Sequence, residues 1–155
     1  MVITHLEEFI NELYAMLRIT EPKQLEIFDI AKKLGITVIY RKKNFKFDNE
    51  IILQPGTKQR EWQKFGHELC HHLRHCGSQA RMHPLFIDLQ EYQATHFAYH
   101  FCVPSFMLKD IREPTTKLIM ETFNVEQHFA ERRLEMYKNK LLLEGRRNES
   151  SLIRI

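Results

Sequence analysis

The sequence predicts a compact, mostly helical α+β domain with a small β-sheet and a C-terminal helical tail. Apolar residues recur every three or four positions along most of the chain, and two short β-branched segments interrupt this pattern. The length of 155 residues is that of one domain that can bury a hydrophobic core. We expect one domain over residues 1–145, with a C-terminal helical segment at about 105–145 and a flexible tail at 146–155.

The N-terminal third should contain two helices. Helical spacing of apolar residues predicts the first over about Ile3–Leu17. The second should begin after Thr20, with Pro22 in its first turn, and end at Gly35. The residues of this helix expected to face inward are Leu25, Phe28, Ile30, Ala31 and Leu34.

Two strands and two long helices should follow. The β-branched segments Ile36–Tyr40 and Glu50–Gln54 favour strands that pair in a small sheet. The next helix should span Lys58–Arg74, where apolar residues again fall three or four apart. A further helix over about Phe86–Val103 should end before Pro104, which disfavours a helical residue before it.

The remaining chain should form two more helices. The shorter is expected around Lys117–Phe123 and the longer from Val125 to about Leu143. Asn124 and Gln127 have the spacing of an N-cap pair for the longer helix. The segment from Gly145 is polar, so we expect it to fray.

Composition indicates a soluble cytoplasmic protein without a membrane partner. No apolar run approaches the roughly 20 residues that cross a bilayer, and the first 17 residues lack the basic and apolar regions of a secretory signal. Cys70, Cys76 and Cys102 include no CxxC pair, which argues against disulfides and a zinc ribbon. The net charge of +3 is too small to indicate nucleic-acid binding, although residues 41–43 and 146–147 are locally basic.

Five of the nine histidines lie within residues 67–83, and this cluster contains an HExxH motif at residues 67–71. Positions i and i+4 share one face of a helix, so His67 and His71 can direct two imidazole nitrogens at one metal ion. Glu68 lies about 100° around the helix, where it can reach a water at the metal without being a ligand. The pattern predicts a Zn²⁺ site with Glu68 as general base.

A third ligand is expected on the following helix. Glu91 would complete a His₂Glu set and leave the fourth position open, as in catalytic zinc sites. The alternative, His75, lies eight residues beyond His67, and the helical rise of about 12 Å is too long for one ion. His96 and His100 are rotated roughly 140° and 180° from Glu91, so we expect packing or surface roles for both.

The cluster also has alternative interpretations. Cys70 could be a thiolate ligand or nucleophile, but its direction, about 100° from His71, favours a buried small residue. A histidine-rich helix that packs against its neighbours and binds nothing is the structural alternative to a metal site.

The HExxH motif and the segment at residues 91–104 resemble the ImmA/IrrE-type metallopeptidases. That segment is similar to the family pattern ExxANxFAxxLLxP, whose glutamate is a zinc ligand and falls on Glu91. The resemblance covers most of the chain and implies a compact zincin-like metallopeptidase domain. Cys70 stands where the family often has glycine, and Thr95 where it often has asparagine. We expect the change at Thr95 to remove a contact that holds a ligand in place.

Members of this family are often encoded on prophages and integrative elements, where they cleave a helix-turn-helix repressor. The resemblance therefore implies a zinc-dependent endopeptidase whose partner is a DNA-binding repressor. Ile51–Leu53 could be the sheet edge on which an extended substrate pairs. The main alternative is a non-catalytic regulator that uses the same fold to bind a repressor or another protein. A DNA-binding protein is least favoured, because no basic stripe lines one helix.

Overall fold

The computed structural model describes residues 3–40, 49–74 and 83–153, with the side chains of the last helix described up to residue 147. The described residues confirm the predicted α+β class, with helices and one two-stranded sheet. None of the described helices has both the length and the apolar character needed to cross a membrane. In chain order the elements are α1 (His5–Met16), a 3₁₀ turn (Pro22–Gln24), α2 (Ile27–Leu34), β1 (Thr37–Tyr40), β2 (Glu50–Leu53), α3 (Lys58–Arg74), α4 (Pro84–Cys102), α5 (Ser105–Leu108), α6 (Thr116–Phe123) and α7 (Gln127–Ile153).

The two strands pair as predicted, and they run parallel. Val38 lies opposite Ile51, and Tyr40 lies opposite Leu53. Side chains alternate between the faces of a strand, and accordingly Ile51 and Leu53 are buried while the residues before each are only partly buried. β2 also contacts α3, so the buried face of the sheet joins the core beside the helix that carries the HExxH motif.

α3 and α4 form the most extensive helix pair in the described part of the chain. Phe65 on α3 packs with Phe101 on α4, and both are fully buried. Gly66 allows the close approach, since a Cβ atom there would lie 3.0 Å from Cys102 Sγ and 3.2 Å from the Phe101 ring. The absence of a side chain at Gly66 therefore sets the spacing of the two helices directly beside His67.

A largely buried network of hydrogen bonds connects α1 and α7 with the junction of α4 and α5. Arg133 on α7 donates hydrogen bonds to the Val103 carbonyl (3.0 Å) and to Ser105 Oγ (2.8 Å). Ser105 donates to the Glu7 carboxylate at 2.7 Å, and Lys140 donates to both oxygens of that carboxylate. The network therefore joins α1, α5 and α7.

The predicted second helix is divided in two. The Glu26 carboxylate accepts hydrogen bonds from the backbone N–H groups of Phe28 (3.1 Å) and Asp29 (2.8 Å), which caps a new helix after the 3₁₀ turn. The new start changes the helical phase, so Ile27 is buried and Phe28, which we expected to face inward, is 53% exposed. The other four residues predicted to face inward are buried or partly buried. The helix ends as predicted at Gly35, whose φ of 70° is left-handed.

Asn124 does not cap α7, contrary to the sequence-based prediction. It has left-handed dihedrals (φ 54°, ψ 54°) and ends α6, a role that asparagine tolerates better than most residues. α7 runs to Ile153, well past the predicted end at about Leu143. Gly145 lies within α7. The helix can continue through it because one glycine costs only about 1 kcal/mol. The division into a domain at 1–145 and a flexible tail stays a prediction.

Candidate metal centre

The three side chains predicted to bind a metal converge between α3 and α4. His67 Nε2 and His71 Nε2 lie 3.3 Å apart. The two oxygens of Glu91 lie 2.9 Å from these nitrogens, Oε2 from His67 and Oε1 from His71. Within the described residues this is the only group of His, Cys, Asp or Glu side chains that could hold a metal ion. His75, the alternative ligand, lies outside the described residues.

The distances fit a zinc ion. Zinc binds imidazole nitrogen and carboxylate oxygen at about 2.0–2.2 Å, and tetrahedral ligands at that distance are about 3.3 Å apart. The histidine nitrogens already have this separation of 3.3 Å. The two nitrogen–oxygen distances of 2.9 Å are those of charge-assisted hydrogen bonds. Widening them by a few tenths of an ångström would be enough to admit the ion.

The secondary structure explains why these atoms meet. His67 and His71 stand one turn apart on α3, with side chains 15% and 12% exposed. Glu91 comes from the first half of α4, where its side chain is 45% exposed. The histidines are therefore held by packing, while the carboxylate faces solvent, and a substrate could approach from that side.

Glu68 follows His67 on α3 and has its own charged partner. Its Oε1 lies 3.0 Å from Lys64 Nζ, one helical turn earlier, and its side chain is 23% exposed. Lys64 was not among the residues predicted for the site, although its spacing of four residues from Glu68 is the usual signal for such a pair. The ion pair restricts the rotamers of the Glu68 side chain.

The change at Thr95 was expected to remove a contact that holds a ligand in place, but the structure shows a contact from the threonine itself. Thr95 Oγ1 lies 3.4 Å from Nδ1 of His67, the ring nitrogen that does not face the other ligands. Thr95 stands four residues after Glu91, so the two share one face of α4. That spacing was the available signal, but a sequence alone does not show which histidine the hydroxyl meets.

Cys70, His96 and His100 are three further polar residues close to the candidate ligands in sequence. Cys70 is a buried free thiol, as predicted, and burial raises its pKa to about 11, so it remains protonated at neutral pH. His100 is buried, and its Nδ1 donates a hydrogen bond to the His96 carbonyl at 3.1 Å. Burial, reinforced by the nearby Arg133 charge, lowers the pKa of His100 to about 4. Neither histidine belongs to the three-ligand group.

Comparison with known proteins places the chain in a family. The family described as the IrrE N-terminal-like domain, a peptidase family, matches residues 31–135, more than half of the chain. The chain belongs to the ImmA/IrrE family of peptidases. The matched region contains α3 and α4, and with them the whole three-ligand group and Glu68.

Two proteins of Bacillus subtilis (strain 168) are similar in sequence to this chain. The chain is 40% identical over 149 residues to the phage-like element PBSX protein XkdA, covering 89% of this chain and 75% of the relative. It is 32% identical over 149 residues to the uncharacterized protein YqaB, covering 89% of this chain and 87% of the relative. No solved structure matches the chain.

Proposed function

We propose that this ImmA/IrrE family member is a zinc-dependent endopeptidase. The observation that carries the proposal is the convergence of His67, His71 and Glu91 ligand atoms within 4.8 Å of one another, with Glu68 next to His67. Three protein ligands leave a coordination position for reactants, as in catalytic zinc sites, whereas structural zinc normally has four. Membership of a peptidase family supports the same conclusion.

The residues would divide the work between them. Zinc held by His67, His71 and Glu91 would polarise the peptide carbonyl and make a coordinated water more acidic. Glu68 would accept a proton from the attacking water and deliver it to the amine nitrogen as the C–N bond breaks. The Lys64 ammonium, 3.0 Å from Glu68, would hold that carboxylate in a narrow set of positions between the two transfers.

The proposed substrate is a DNA-binding repressor of a prophage or integrative element. The name of the relative XkdA assigns that protein to a phage-like element, and family members that cleave repressors support the same setting. The described cysteines, Cys70 and Cys102, are free thiols, which fits work in the reducing cytoplasm. We propose no direct contact with nucleic acid or membrane.

An edge of β2 is the proposed place where the substrate backbone lies. In the described part of the chain β2 pairs with one strand, β1, and β2 also contacts α3, which carries the ligands. A substrate segment could add there as a further strand. Ile52→Pro removes a backbone N–H and should slow cleavage, whereas Ile52→Thr keeps that group and serves as the control. Full cleavage by a folded Ile52→Pro variant would count against this placement.

A non-catalytic regulator that binds a repressor without cutting it is the second candidate. The ion pair between Glu68 and Lys64 bears on this candidate, because it gives the Glu68 carboxylate a partner within α3 that requires no substrate. This candidate predicts that repressor inactivation survives Glu68→Gln.

Zinc content and peptide cleavage together test the proposal. Elemental analysis should find about one zinc per chain in the wild type and in Glu68→Gln, and little in Glu91→Ala. With a proteome-derived peptide library and mass spectrometry, only the wild type should produce new termini. Cleavage by Glu68→Gln at the wild-type rate would exclude the mechanism. A folded wild type that takes up no added zinc would exclude the metal site.

A further inference from the structure

His67 presents its two ring nitrogens to different neighbours. Nε2 faces the other ligands, 2.9 Å from Glu91 and 3.3 Å from His71. Nδ1 lies 3.4 Å from Thr95 Oγ1. A neutral imidazole has a hydrogen on only one of its two nitrogens. When Nε2 acts as a ligand, that hydrogen must be on Nδ1, which can then donate a hydrogen bond to the threonine oxygen.

We propose that Thr95 is a positioning residue that fixes the tautomer and the ring orientation of His67 for metal binding. The inference rests on the proposed metal site and extends it by one residue. α4 thereby supplies two groups to the centre, the ligand Glu91 and the hydroxyl of Thr95 one turn later. The β-branched side chain of threonine has few rotamers, so the oxygen is held in place at little entropic cost.

The chemistry explains how threonine can stand where the family often has asparagine. Both side chains offer an oxygen that accepts a hydrogen bond from Nδ1–H, and neither is charged. Thr95 is exposed and the contact is long, so water competes with it. The effect of the hydroxyl on zinc affinity should therefore lie near the lower end of the roughly 10- to 100-fold range for such supporting contacts.

Zinc affinity of the metal-free protein, measured by competition with a chromophoric chelator, tests the role of Thr95. Thr95→Val keeps the shape and removes the hydroxyl, so its Kd for zinc should rise about tenfold. Thr95→Ser and Thr95→Asn keep an acceptor oxygen and should stay within about threefold of the wild type. Thr37→Val makes the same change at an exposed position of β1 and should leave the Kd unchanged.

A second readout reports on the ring itself. Nitrogen NMR of the zinc-loaded protein should show His67 with Nδ1 protonated in the wild type and Thr95→Ser, and added exchange broadening of that signal in Thr95→Val. Wild-type Kd and an unchanged His67 signal in folded Thr95→Val would overturn the role of Thr95 while leaving the endopeptidase proposal intact. A wild type that binds no zinc would overturn both.

Discussion

Two clusters of charged side chains in the described part of the chain differ in how fully their hydrogen-bonding groups are satisfied. In the network around Glu7, the carboxylate is 4% exposed and accepts hydrogen bonds from Lys140, Ser105 and Thr4. In the metal centre, the Glu91 side chain is 45% exposed and meets two histidines whose nitrogens point at the same place. The carboxylate of the first cluster is buried and fully hydrogen-bonded, whereas that of the second cluster faces solvent on one side.

The difference indicates how a structural carboxylate can be told from a candidate metal ligand. Burial alone would raise the pKa of Glu7, but the bonds from Lys140, Thr4 and Ser105 outweigh it and lower the pKa to about 2. Such an arrangement holds helices together and leaves no room for a reactant. Donor atoms that converge with one open side have the geometry of a binding site.

Replacing glutamate by glutamine should have different consequences in the two clusters. The replacement in the buried cluster is expected to give the largest change in stability. Glu7→Gln leaves the partly buried Lys140 and the buried Arg133 without their counter-charge and should lower the free energy of unfolding by about 4 kcal/mol. Glu91→Gln, at a half-exposed position, should change that free energy by less than about 1 kcal/mol in metal-free protein, yet remove zinc binding. Urea unfolding and zinc titration of both variants check this. Equal loss of stability in the two variants would contradict the comparison.

Acid should weaken the buried region through His100 before it affects Glu7. The folded-state pKa of His100 is about 4, below its ordinary value of 6.5. Between these values the unfolded chain binds a proton that the folded chain excludes, so stability falls as pH drops from 6.5 to 4, by about 3 kcal/mol. The interactions of Glu7 contribute fully above its ordinary pKa of 4.5 and are lost as pH falls towards 2.

Urea unfolding of metal-free protein at several pH values tests the His100 effect. His100→Gln should flatten the dependence between pH 6.5 and 4 relative to the wild type. His128 is exposed on α7, so His128→Gln should keep the wild-type dependence. Parallel curves for wild type and His100→Gln would show that the imidazole is not kept neutral by the fold.

A methyl group at the contact of α3 and α4 should damage the site and the core together. Gly66→Ala places a Cβ 3.0 Å from Cys102 Sγ and 3.2 Å from the Phe101 ring, so these buried side chains must give way by a few tenths of an ångström, at an expected cost of about 2 kcal/mol in stability. Because the ligands sit on both helices, zinc affinity should fall as well. Far-UV circular dichroism, urea unfolding and chelator competition measure the three quantities. Unchanged zinc affinity would mean that α4 can move without carrying Glu91 away.

The smallest change in stability is expected from a substitution in α7, outside both clusters. Gly145 is an exposed residue of α7, and no neighbour within the described residues lies less than 4 Å from the place that a Cβ atom would take. Gly145→Ala should therefore raise stability by up to about 1 kcal/mol through helix propensity and leave zinc affinity as it is. Thermal unfolding checks the sign. A loss of stability would indicate that this part of α7 is not helical in solution.

Local patterns were enough to predict the helix that carries the two candidate histidine ligands. The bounds of α3, Lys58–Arg74, and the shared face of His67 and His71 depend on helical spacing, which the sequence displays directly. The end of α2 at Gly35 depends on one residue that favours a left-handed backbone. Each of these features is decided within a few neighbouring residues.

Features that depend on distant partners could not be predicted in this way. Glu7 was one of several N-terminal acidic residues, and its burial depends on Lys140, 133 positions later. Phe28 points outward because Glu26 caps a new helix. The sequence alone does not show whether the helix begins after Thr20 or after Glu26. Thr95 comes within 3.4 Å of His67 across the contact of α3 and α4, where Gly66 allows a close approach.

The bond between Glu7 and Lys140 also has a consequence for the order of folding during synthesis. It closes a loop of 133 positions, and the entropic cost of closing a loop rises with its length. Both helices of the metal centre leave the ribosome before Lys140 does, because translation proceeds from the N-terminus. We therefore expect the nascent chain to assemble α3 against α4 first, and α7 to join α1 only after Lys140 has left the ribosome.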